Sequence, residues 1–227
     1  MATSRRKLRF LCLHGGRSNS TIMTLQTSGF LQAFGASADL VELDGTYKAS
    51  GPPEDEILSI FGEDEPYFEW WDSNDHEDEV YPGWEKSLER VQRHVEHKGP
   101  YDVILGFSQG AMMATLMTAH YLEKKWVPYK AVVLVGGMWP ADGMPSSSDN
   151  QGDAGNVQLN FPAIHVLGEK DFMYEDGKKQ IEHYTASSRH VFTHAGGHRF
   201  PALPQYKDMY SEIAKTLHTV CAQARDF

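Results

Sequence analysis

An α/β fold with a doubly wound, mostly parallel sheet of about six strands, helices on both faces and little or no cap domain is predicted by three observations. Short apolar runs alternate with helical stretches along the whole chain. Several of those runs are continuously apolar, as strands buried on both faces require, instead of alternating apolar and polar. Strand, helix and strand also follow one another in the order that right-handed crossovers close into one parallel sheet.

Strands are expected at 8–13, 39–43, 103–105, 131–135, 163–167 and 189–192, each a short run rich in Val, Ile, Leu or Phe. A helix at 21–34 follows Ser18-Asn19-Ser20, which offers capping oxygens. The helix at 83–97 starts after Pro82 and stops at Gly99-Pro100, and those at 111–125, 174–185 and 206–224 complete the set. Two stretches fit no regular element and are read as long loops: 49–81, with Gly51-Pro52-Pro53 and the rings Tyr67, Phe68, Trp70 and Trp71, and 138–160, with a Ser-, Asn- and Gly-rich centre. Loops of that length often serve as lids or binding loops. At 227 residues, one domain over 1–227 is the simpler reading.

Apolar residues make up 41% and charged residues 23%, so a packed globular core is expected and disorder is not. Cys12 lies in an apolar run and Cys221 in the last helix, neither placed as part of a disulfide framework, which fits a reducing, cytoplasmic setting. Arg5-Arg6-Lys7 before the first apolar run looks like a secretory signal, but that run is short and ends at His14-Gly15-Gly16 without a cleavage site. No apolar stretch approaches the ~20 residues of a membrane span. The net charge of −10 is local: from Glu54 to Glu79 there are twelve carboxylates and no Lys or Arg, so the remainder of the chain sums to +2. A solvated loop is the ordinary reading of such a run, and it makes nucleic acid an improbable partner.

The chemistry centres on Gly106-Phe107-Ser108-Gln109-Gly110, between the 103–105 strand and the 111–125 helix. Strand, G-x-S-x-G and helix in that order form a nucleophile elbow, in which a sharp turn presents the serine and the glycines relieve crowding. A serine needs a base, and the base needs an orienting acid. Asp171 follows one later strand and His198 the next, giving the order nucleophile, acid, histidine at the carboxyl ends of separate strands, where open α/β sheets bind ligands. Glu169 and Asp176 compete for the acid role, His190 and His194 for the base. The four-residue spacing of the three histidines would mark a metal face on a helix, but Gly196-Gly197 interrupts any helix there, so no metal and no cofactor is expected. The backbone N–H of Gln109 is one oxyanion donor; the second is assigned to Gly16, with Gly15 and Arg17 as rivals. Candidate substrate contacts are His14, Phe68, Trp70, Trp71 and Met138. The aromatic rings either wall an acyl site or anchor the long loop to the core, and both readings stay open.

Leu11-Cys12-Leu13-His14-Gly15, Phe68-Glu69-Trp70-Trp71-Asp72, the elbow pentapeptide, His165-Val166-Leu167-Gly168-Glu169-Lys170-Asp171 and Gly196-Gly197-His198-Arg199-Phe200-Pro201 together resemble the FSH (family of serine hydrolases) group of α/β-hydrolases. Five motifs in order make that resemblance specific over nearly the whole chain. It implies a compact, cap-poor α/β-hydrolase fold with carboxylesterase or thioesterase activity, and a triad at Ser108, Asp171 and His198. The chain departs from it in having Gly16 where relatives often carry a bulky residue, and in the carboxylate-rich loop, which disfavours docking an acidic acyl carrier. The expected partner is a small-molecule acyl ester or thioester. The alternatives are a thioesterase or acyltransferase of a biosynthetic pathway, and a non-catalytic small-molecule receptor on the same fold.

Overall fold

The structure is a computed structural model and describes residues 7–73, 81–145 and 157–224. In chain order its main elements are β1 (Leu8–Leu13), α1 (Ser20–Gln26), α2 (Ser28–Phe34), β2 (Ala38–Leu43), β3 (Tyr47–Lys48), α3 (Asp55–Phe61), β4 (Phe68–Glu69), α4 (Trp84–Lys98), β5 (Val103–Phe107), α5 (Gln109–Glu123), β6 (Ala131–Val135), β7 (Ala163–Gly168), α6 (Tyr174–Glu182), β8 (Arg189–His194) and α7 (Lys207–Gln223). Six strands form one sheet in the order β2-β1-β5-β6-β7-β8, every neighbouring pair parallel. All six expected strands are present. The continuous apolar runs arise because both faces are covered: Leu11, Leu13, Ile104, Val132 and Leu134 pack into one core, while Phe10, Cys12, Val103, Leu105, Val133 and Val135 pack into the other.

From β1 the chain adds β2 on one side, and from β5 it adds β6, β7 and β8 on the other. Strand order therefore reverses between β1 and β5. The loops leaving those two strands diverge and open a crevice at their carboxyl ends, the switch point where such sheets bind ligands.

Two expectations are corrected. The helix expected over 21–34 is two helices. Thr27 stands between them with its hydroxyl on the Met23 carbonyl (2.9 Å), so the side chain competes with the helical ladder. Gly29 in the second helix lies so close to the Tyr210 ring that a Cβ there would collide with it. The stretch read as a loop over 49–81 contains α3 and pairs β4 antiparallel with β3; its residues 74–80 lie outside the described residues, as do 146–156 of the 138–160 loop. No helix among the described residues is long and apolar enough to cross a membrane.

Candidate active site

Ser108 occupies the turn between β5 and α5 with φ +51 and ψ −118, in the left-handed region that non-glycine residues rarely occupy. The close approach of strand and helix explains its glycine neighbours. A Cβ on Gly106 would collide with the Gly110 carbonyl, and one on Gly110 with the Leu13 carbonyl. The turn is secured from both sides, since the Ser108 N–H donates to the Val135 carbonyl (2.9 Å) and the Ser108 carbonyl accepts from the Ala111 N–H (2.9 Å).

His198 Nε2 lies 2.9 Å from Ser108 Oγ, and its Nδ1 lies 2.8 Å from Asp171 Oδ2. Asp171 is buried, and its second oxygen accepts the Met173 N–H (2.8 Å). That arrangement makes Nδ1 the protonated nitrogen and leaves Nε2 free to receive the serine proton. The imidazole sits between the Phe107 and Phe172 rings, with centroids at 5.0 and 4.8 Å. Gly136, with φ +55, leaves room beside it: a Cβ there would stand 3.1 Å from His198 Cε1 and 3.3 Å from Asp171 Oδ2. The competitors lie elsewhere. Glu169 and His190 are exposed, Asp176 pairs with Lys179 (2.8 Å), and the buried His194 packs against Tyr206 and receives the Gly196 N–H on Nδ1 (3.2 Å).

The loop after β1 runs beside the serine. A Cβ on Gly15 would lie 2.9 Å from the Phe107 ring and 3.4 Å from Ser108 Cβ, and one on Gly16 would lie 3.4 Å from the Gln109 side chain. Neither the Gly16 nor the Gln109 N–H has an intramolecular acceptor among the described residues. The Gly15 and Arg17 N–H groups on either side of Gly16 likewise have no acceptor among the described residues, so open donors lie both in the loop after β1 and at the N-terminus of α5.

Two clefts meet at Ser108 and His198. One, of about 370 Å³, is walled by Ile22, Leu25, Ile57, Ile60, Phe61 and Phe200. The other, of about 490 Å³, carries Arg17, Glu54, Glu69, Gln109, Met112 and Phe172. Of the five proposed substrate contacts, only Trp71 lines either cleft. His14 and Trp70 are 0% exposed. His14 Nδ1 donates to the Gly15 carbonyl (2.6 Å), its Nε2 accepts the Gly45 N–H (2.8 Å), and burial holds its pKa down at about 4, so it is a neutral structural imidazole. Trp70 Nε1 donates to the His14 carbonyl (2.8 Å). Phe68 bridges to Ser18, and Met138 packs on the core beside α6, its carbonyl accepting from Gln180 (3.0 Å). For Trp70 the anchoring reading of the aromatic loop therefore applies. The apolar wall that sequence reasoning missed had a signal: Ile57, Ile60 and Phe61 stand at i, i+3 and i+4 inside the acidic run, the spacing of one helix face.

The human protein named Esterase OVCA2 is 29% identical to this chain over 222 residues, covering 91% of the chain and 95% of that protein. Esterase FUS5 of Gibberella moniliformis is 30% identical over 217 residues, covering 92% of the chain and 85% of that protein. A crystal structure of a carboxylesterase from Mesorhizobium loti superposes with a TM-score of 0.61 at 15% identity, covering 94% of this chain and 90% of that one, and shows the shared fold. The model of the family described as serine hydrolase (FSH1) matches residues 2–210, nearly the whole span that carries the sheet, the elbow and the Ser108, Asp171 and His198 loops, and the chain belongs to that family.

Proposed function

We propose that this serine hydrolase cleaves carboxylic esters of small acyl substrates by two-step acyl transfer, with Ser108 as nucleophile. The observation that carries the reading is the unbroken hydrogen-bonded line from Ser108 Oγ through His198 to Asp171. His198 Nε2 takes the Ser108 proton as Oγ attacks the acyl carbon, and Asp171 stabilises the imidazolium without taking its proton. The carbonyl oxygen, now negative, receives the N–H groups of Gly16 and Gln109, a contribution on the order of 10²–10³ in turnover for each donor. His198 then returns the proton to the departing alcohol, and water repeats the cycle on the acyl-enzyme.

The two clefts divide the substrate between them. The apolar one, walled by Ile57, Ile60 and Phe61, suits the acyl chain, because each buried methylene is worth about 0.8 kcal/mol there. The other, which passes Gln109 and Met112, takes the leaving group. Both cysteines are buried in the core, which fits a reducing, cytoplasmic compartment.

Ser108→Ala removes the nucleophile and is expected to abolish both fluorophosphonate labelling and turnover of p-nitrophenyl acyl esters, with a loss on the order of 10⁶ in kcat. Labelling of the variant at the wild-type rate would sink the assignment. A wild type that binds esters without turning them over would point to the receptor reading instead.

A further inference from the structure

The segment Phe68-Glu69-Trp70 touches both sides of the oxyanion site while lining little of the substrate space. Toward the loop after β1, the Phe68 N–H donates to the Ser18 carbonyl (2.7 Å) and the Ser18 N–H donates to the Phe68 carbonyl (3.3 Å). In the same place Glu69 Oε1 accepts from Arg17 Nε (3.1 Å) and from Ser50 Oγ (3.1 Å). Toward α5, the Trp70 N–H donates to the Gln109 side-chain oxygen (2.8 Å), and the Trp70 indole donates to the His14 carbonyl (2.8 Å). Three consecutive residues thus tie Arg17 and Ser18, just after Gly16, to Gln109.

Two features mark these ties as more than loop packing. Arg17 holds φ +53, a strained conformation for a side chain of its size, and such strain persists only where its surroundings impose it. Glu69 is a 2% exposed carboxylate whose Oε2 has no hydrogen-bond partner among the described residues. A buried acid with one oxygen unsatisfied is costly wherever packing alone is needed. The guanidinium that answers it also reaches Ser50 Oγ (3.3 Å) and the Pro52 carbonyl (3.5 Å) from the half-exposed Arg17 side chain.

We infer that the Arg17–Glu69 ion pair and the Trp70–Gln109 hydrogen bond are a clamp that sets the separation of the two oxyanion donors, making Arg17 and Glu69 positioning residues for the acyl-transfer step. This rests on the esterase reading above. An oxyanion hole works because its donors are already aimed where charge develops, so a change in their spacing lowers transition-state binding and leaves ground-state binding alone.

Arg17→Gly tests it. Glycine adopts φ +53 without strain, so the variant removes the side-chain ties while the backbone shape stays available. The expected result is a fall in kcat of about 10- to 100-fold with KM unchanged, the scale of a displaced donor. Affinity for butylboronic acid, whose serine adduct places an oxygen in the hole, falls in parallel. Glu69→Gln, which breaks the ion pair but keeps an acceptor for Arg17 and Ser50, lowers kcat less than Arg17→Gly does, again with KM unchanged. The double variant Arg17→Gly with Glu69→Gln leaves no lone buried charge, so it folds and still loses kcat. Wild-type kcat in either glycine variant, or a change confined to KM with boronate affinity intact, overturns the clamp. A wild type that neither labels with fluorophosphonate nor turns over esters overturns the esterase reading, and this inference with it. A competent wild type beside an unimpaired Arg17→Gly overturns the clamp alone.

Discussion

The two sides of Ser108 are built differently. On the triad side, Asp171 lies three residues beyond β7 and His198 four beyond β8. Those loops brace each other directly, with the Glu169 N–H on the His194 carbonyl (2.8 Å) and the Lys170 N–H on the Gly196 carbonyl (2.9 Å). Adjacent parallel strands therefore carry the acid and the histidine as a unit. On the other side, the loop after β1 is held by a segment fifty or more residues away in sequence, through the Arg17–Glu69 pair and the Ser18–Phe68 bridge. The sheet places one half of the site, and an excursion from the sheet places the other. Triad geometry is thus tied to adjacent strands of the sheet, and the loop after β1 to contacts with a segment outside it.

Of the two sides, the triad side carries the larger expected effect. Asp171→Asn keeps the size of the side chain but favours the wrong imidazole tautomer, and a loss on the order of 10⁴ in kcat is expected from stopped-flow ester hydrolysis. A loss no greater than that of Arg17→Gly would erase the contrast between the two sides.

A second prediction concerns stability. Burial lowers the pKa of His14, beneath the oxyanion loop, from 6.5 to about 4, and that of His165, in β7, from 6.5 to about 3. Because the folded values are the lower ones, the unfolded chain binds more protons between pH 6.5 and 4, so stability falls as pH drops through that window. With two such groups the slope near pH 5 is on the order of 2 kcal/mol per pH unit. Urea midpoints followed downward from neutral pH check it, and a flat profile would mean that both imidazoles protonate in place.

The smallest effect concerns the apolar cleft. Phe61→Ala opens its wall and is expected to shift the preferred acyl length of p-nitrophenyl esters upward, by about fourfold in kcat/KM per added methylene. Trp70→Ala, by contrast, should lower the melting temperature and leave the length preference where it was, since Trp70 is 0% exposed and lines neither cleft. A reversed outcome for the pair would restore the aromatic loop as the acyl wall.

Much of the triad side was legible in the sequence. Continuous apolar runs give buried parallel strands, G-x-S-x-G between strand and helix gives the elbow, and residues just past strand ends gather at one edge. These are local signals repeated in a regular frame. Less of the other side could be read. His14 and Trp70 are a histidine and a tryptophan next to plausible site residues, and no spacing tells a buried structural pair from a substrate contact. Helix α3 was hidden by the carboxylates around it, although its apolar spacing was there to be counted.

By itself, then, the chain's local pattern determined the sheet, the elbow and the order of Ser108, Asp171 and His198, because backbone periodicity and steric need act over a few residues. Only the tertiary structure decided which surfaces face the serine and what ties the loop after β1 to the start of α5. Those depend on contacts such as Trp70 with Gln109 and Arg17 with Glu69, 39 and 52 residues apart in sequence. Pairings of that kind are set by how packed elements meet, and neither partner carries a local mark of the other.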